Sequence, residues 1–146
     1  MTGDDMLIRP FVPLDVERLA LQPSQAHLRP LLCETRYCDL LARGEAWTAE
    51  EGGKVMGCAG ILPLREGLGN AWAILGDGFG HSFIVVHRVV QRVLAASTLQ
   101  RIEAYVDCDF ARGHDWMLML DFQLEAPRMR KFAPGGRDAA LYARVR

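Results

Sequence analysis

The run FARGHDWMLMLDFQLEAPRMRKFAPGGRDAALYARV, from Phe110 to Val145, decides how this chain is read. Phe110 to Leu120 has the amphipathic spacing of a helix, with apolar residues interleaved with Arg112, His114 and Asp115. Gln123 to Phe132 and Ala139 to Val145 read as strands around the turn Pro134-Gly135-Gly136. The run is therefore one amphipathic helix, a strand, a Gly-Gly turn and a closing strand.

Moving upstream, Ile102 to Val106 reads as a buried strand, and Phe83 to Ala96 as a long helix with Ser82 at the N-cap position. Before that helix lies the richest loop of the chain, Gly76-Asp77-Gly78-Phe79-Gly80. Ala71 to Leu75 is a strand after the polar turn Arg65 to Asn70. Lys54 to Leu62 and Glu45 to Glu50 pair across Glu51-Gly52-Gly53, since glycine supplies positive φ at little cost. Gly57 and Gly60 predict a bulge or a close backbone approach. Leu31 to Ala42 and Leu14 to Leu21 read as helices, the latter stopped by Pro23, and Met6 to Val12 as a short edge strand. The order β, α, α, three strands, α, β, α, β, β predicts one α/β (α+β) domain over residues 1–146. Its mixed, mostly antiparallel sheet has about six to seven strands, flanked by helices on both faces.

Composition narrows the function classes. The chain has 146 residues, half of them hydrophobic and 24% charged, as a globular domain requires. A formal charge of −1 argues against non-specific nucleic-acid binding, and Arg128, Arg130 and Lys131 read as a solvated strand face. No apolar run reaches the ~18 residues of a membrane helix, and MTGDDMLIRP lacks a secretion signal, so a cytoplasmic location is expected. Cys33, Cys38, Cys58 and Cys108 form no CxxC pair and read as small buried hydrophobes, with no metal site expected. No GxSxG elbow or Ser/His/Asp order supports a hydrolase.

The C-terminal third resembles the GNAT N-acetyltransferase superfamily. Leu120-Asp121-Phe122 stands where the family commonly has Leu-Gly-Phe, and the element order is the GNAT order. The resemblance implies two cofactor devices. The central strand, here ending in Ile74 and Leu75, would splay from its neighbour and bind the pantetheine arm of acetyl-CoA through its backbone. The following loop would hold the pyrophosphate on helix N–H groups, which carry unsatisfied donors and a positive dipole end. The family loop reads (Gln/Arg)-x-x-Gly-x-(Gly/Ala). Asp77-Gly78-Phe79-Gly80-His81-Ser82 occupies its place, with Gly80 matching and Asp77 where Gln or Arg would be. The implied cofactor contacts are therefore Ile74, Leu75, Gly78, Phe79, Gly80, His81 and Ser82.

The family's general-acid tyrosine on the last helix falls on Met117, which has no proton to donate. Substitutes are Tyr105, Cys108 and Tyr142. His81, whose unperturbed pKa lies near neutrality, is the chemically attractive base, beside Asp77, Asp107 and Glu45. Trp72 could line an acceptor groove. The resemblance implies acetyl transfer from acetyl-CoA to an amine on a small molecule or a protein. The ending also resembles phage-encoded GNAT-like proteins, some called virion or morphogenesis proteins, which would place the chain in a host cytoplasm. That likeness implies the alternative: a GNAT fold that has lost its cofactor and acts by contacts in virion assembly or against a host factor. Pairing through the C-terminal strands, Arg137 to Arg146, would make a homodimer.

Overall fold

The computed structural model describes residues 6–32 and 34–146, without the side chains of Ser24, Thr35 and His81. The strands are β1 (Met6–Pro10), β2 (Glu45–Glu51), β3 (Lys54–Arg65), β4 (Leu68–Leu75), β5 (Arg101–Asp107), β6 (Gln123–Ala133) and β7 (Arg137–Val145). They form one seven-stranded sheet in the order β1-β2-β3-β4-β5-β7-β6. β4 and β5 run parallel, and the other neighbouring pairs are antiparallel. The α-helices are α1 (Arg29–Leu32), α2 (Thr35–Leu41), α3 (Phe83–Ala96) and α4 (Ala111–Met119). No helix among the described residues is long and apolar enough to cross a membrane.

Each sheet face covers its own core, because alternate strand residues point to opposite sides. One cluster joins Leu75, Phe79, Val86, Ile102 and Trp116, under α3 and α4. The other joins Val16, Leu19, Leu41, Cys58 and Ile74, under the N-terminal helical segments. β4 shows the alternation: Ala71, Ala73 and Leu75 pack into the first cluster, Trp72 and Ile74 into the second. This is the mixed sheet with helices on both faces expected from the element order and the family resemblance.

Two expected helices differ. Residues 14–21 do not form an α-helix; a 3-10 turn spans Pro13–Val16, and Leu21 bridges Gly76 instead. Asp15 is the cause. Its carboxylate accepts from the Val12 N–H (2.9 Å), Thr48 Oγ1 (2.7 Å) and Arg9, so the local backbone bends around a fully buried side chain. The helix expected over 31–42 is two helices, separated at Glu34, whose backbone is extended (φ −85°, ψ 117°). Cys33 lies outside the described residues. The turn expected over 65–70 also contracts, because β3 runs on to Arg65 and β4 starts at Leu68.

The glycine expectations resolve as both a bulge and a contact. The β2–β3 register shifts between Ala49 and Glu50. At Gly60 a Cβ would lie 2.5 Å from the Glu45 carbonyl oxygen, so the two strands meet there without room for a side chain.

The sheet opens at its centre. β4 and β5 pair from Leu68↔Arg101 to Ala71↔Ala104 and then part. Each follows its other neighbour: β4 stays on β3 through Gly57↔Leu75, and β5 stays on β7 through Asp107↔Ala139.

Candidate active site

The parting of β4 and β5 leaves a wedge in the sheet, and a cavity of about 340 Å³ runs through it. Its lining is mostly apolar. Val86, Val90 and Met117 line it on the α3/α4 side, and Trp72, Leu28 and Tyr37 on the other. A wedge between parallel strands leaves strand-edge N–H and C=O groups without sheet partners, and buried groups of that kind must be satisfied. On β4 the chain satisfies three of these groups itself. The Gln25 side chain donates from Nε2 to the Ala73 carbonyl (3.0 Å), and its Oε1 accepts from the Leu75 N–H (2.7 Å). The Gln22 N–H donates to the Leu75 carbonyl (3.0 Å). Gln25 is only 9% exposed, so this is an interior contact.

Two residues further on, His27 reaches the same opening. Its Nε2 lies 3.7 Å from Oδ2 of Asp107, at the end of β5, and both residues line the cavity. Asp107 is in turn ion-paired with Arg137. Burial pushes the His27 pKa down; Asp107 opposes this and Arg137 adds to it, so the imidazole is neutral at pH 7. The bond from Arg137 holds the Asp107 carboxyl below the usual carboxylate range despite partial burial. A neutral imidazole facing an ionised carboxylate can take up a proton, and the carboxylate favours the imidazolium that forms.

At the head of α3, Gly78 is left-handed (φ 82°) and a 3-10 turn over Phe79–Ser82 feeds the helix. Gly78 and Gly80 are exposed, and a Cβ at either would meet nothing within 4 Å. Phe79 is buried against the cavity. Ser82 is buried and donates from Oγ to Oε1 of Glu51 (2.9 Å), so one of the protein's own carboxylates sits at this helix end. Asp77 is exposed beside it. Ile74 turns into the core of the opposite face, while Leu75 presents its N–H and C=O to the wedge. The His81 side chain lies outside the described residues.

The acid candidates separate. Tyr105 lines the cavity, stacks at a tilt on Phe132 (4.7 Å between centroids) and donates its hydroxyl to Glu103 (3.3 Å). Burial raises its pKa, and Glu103 raises it further, so the phenol keeps its proton at neutral pH. Cys108 instead points its thiol toward the Pro127 carbonyl (3.6 Å), and it is absent from the cavity lining among the described residues. The Tyr142 hydroxyl meets His114 Nδ1 (2.6 Å), while Nε2 of His114 faces the carbonyls of Asp107 and Cys108. Those carbonyls require a proton on Nε2, so Tyr142 donates to Nδ1 and is committed to the core. Met117 lines the cavity, in the place the family resemblance implied for a tyrosine. The indole N–H of Trp72 is buried in this wall without a hydrogen-bond partner.

Gln25, His27 and Glu51 carried no signal as site residues. SQAH lies between Pro23 and Pro30 in a stretch with no periodicity, and nothing local indicates that it crosses a strand edge some fifty positions away, at Leu75.

No protein-family model and no curated protein matches the chain. Solved structures do. An acetyltransferase of the GNAT family from Bacillus anthracis is 14% identical, with a TM-score of 0.66, and the match covers 99% of this chain and 97% of that one. An N-acetyltransferase from Staphylococcus aureus is 14% identical, with a TM-score of 0.70 over 97% of this chain and 99% of that one. A variant spermidine N-acetyltransferase from Vibrio cholerae is 12% identical, with a TM-score of 0.61 over 96% and 93%. At such identities the likeness establishes the fold, which is the GNAT fold.

Proposed function

We propose that this protein is an N-acyltransferase that takes its acyl group from acetyl-CoA and passes it to an amine. The observation that carries the reading is the end of β4–β5 pairing at Ala71↔Ala104, which opens an apolar cavity through the sheet. The wedge has the strand-edge amides that an extended amide chain needs, at Ala73 and Leu75. Residues 78–82 would hold the phosphate end, with Gly78 and Gly80 leaving the backbone open. Asp77 and Glu51 weaken that end by like-charge repulsion.

Acetyl-CoA, when bound, supplies an acyl carbon activated as a thioester. His27 accepts the proton of the incoming amine at Nδ1, while Nε2 faces Asp107. Tyr105 holds a hydroxyl proton on the same wall, which would pass to the leaving sulfur on release from Glu103. Trp72 and Tyr37 exclude water from the acceptor side. The acceptor is an amine small enough, or borne on a chain thin enough, to reach this wall.

A second reading keeps the fold without the cofactor and assigns the protein to protein–protein contacts, as in virion assembly or the inhibition of a host factor. The engagement of Ala73 and Leu75 by Gln25, and the carboxylate of Glu51 at α3, favour it. A thermal-shift titration separates the two, because a ligand selective for the folded state raises Tm by mass action. Acetyl-CoA should raise the Tm, and Gly80→Glu should abolish the rise. No rise at millimolar acetyl-CoA would leave the contact reading standing.

A further inference from the structure

We propose that Gln25 is a built-in competitor for the cofactor's amide arm, so that the site is self-occupied at rest and loads only when the Gln25 side chain swings out. This rests on the acyltransferase reading above. A glutamine carboxamide and a secondary amide offer the same pair, one C=O acceptor and one N–H donor. Gln25 places that pair on the Leu75 N–H (2.7 Å) and the Ala73 C=O (3.0 Å), on the edge of β4 that the wedge exposes. The pantetheine arm of coenzyme A is a chain of such amides, and it would need the same partners.

The segment's backbone is pinned at its start. Gln22 N–H donates to the Leu75 carbonyl (3.0 Å), and Leu21 bridges Gly76. The displaceable part is therefore the side chain, which departs by torsion about its own bonds. A cofactor that replaces Gln25 recovers only what Gln25 gives up, so the strand edge adds little to wild-type affinity. Without the competitor the same two hydrogen bonds count in full. The carboxamide also keeps the edge groups satisfied while the site is empty, where unpaired groups would destabilise the fold.

The test is calorimetric titration of coenzyme A into wild type, Gln25→Ala and Gln25→Asn. Asparagine is one methylene shorter and cannot span both groups from the same Cα. Both variants should bind coenzyme A about tenfold more tightly than wild type, with a lower Tm in the free protein. In the wild type, the side-chain amide resonance of Gln25 should move toward solvent-exposed values as coenzyme A is added. Binding to either variant where wild type shows none also supports the competitor. If wild type binds and the folded variants bind no more tightly, or the Gln25 resonance stays put, the competitor is overturned and the acyltransferase reading stands. If neither wild type nor a folded variant binds at millimolar coenzyme A, both fall together.

Discussion

Asp121 shows how one backbone angle explains a sequence departure. It follows Leu120, the C-cap of α4, with φ 65°. The Phe122 N–H donates to the Met117 carbonyl (3.0 Å) and the Asp121 N–H to the Leu118 carbonyl (3.1 Å), a Schellman ending with Phe122 buried beneath it. Glycine suits that left-handed position, so Asp121→Gly should stabilise the protein by about 0.5–1 kcal/mol in denaturant melts. The Asp15 carboxylate works the other way. Burial pushes its pKa up, but bonds from Arg9, Thr48 and the Val12 N–H outweigh this and hold it below its ordinary 3.8. Asp15→Asn should cost about 3 kcal/mol by chemical denaturation, since it leaves Arg9 without its buried partner. At His27 the expectation is kinetic. With a competent acceptor amine, kcat/KM should rise with pH through a value below 6.5, and His27→Gln should remove that limb and lower the rate about 10²-fold or more.

Among the elements, β4 sets the site because it serves two partners unequally. It pairs with β3 from Leu68 to Leu75 but with β5 only as far as Ala71. The α3 helix was readable from sequence with its observed bounds, Phe83–Ala96, because a long amphipathic period is a local property. The expected helix over 14–21 fails because Asp15 bonds to Thr48 and Arg9, and the segment after it is held by side chains that reach other backbone. Arg29, for example, donates to the Leu19 carbonyl (2.7 Å). The β2–β3 contact gives a direct test at this scale. Gly60→Val should destabilise by about 2–3 kcal/mol in equilibrium unfolding, because its Cβ would collide with the Glu45 carbonyl.

For the whole molecule, the shifted groups near the wedge and the N-terminal core act in one direction on acidification. Asp15 and Asp107 are depressed below 3.8, so their contribution is present above that value and is lost as pH falls through their folded pKa values. His27 is depressed below 6.5, so the unfolded chain takes its proton first and stability begins to fall below pH 6.5. Tm should therefore be flat from neutrality to about pH 9, decline gently below pH 6.5, drop steeply below about pH 4, and fall again above pH 9, where the Cys58 thiol ionises in the unfolded chain while burial pushes it up to about 12 in the folded one, as scanning calorimetry across pH would show.

Taken alone, the residue order determined the succession of strands, the two long helices α3 and α4, the glycine turns and the resemblance at Leu120-Asp121-Phe122, because periodicity and turn chemistry act over a few neighbouring positions. Only the tertiary structure decided what stands in the wedge. Gln25 reaches Leu75, His27 reaches Asp107 and Glu51 reaches Ser82 because the sheet brings distant segments to one edge. A hydrogen bond depends on where two atoms lie in space, and no local pattern carries that information.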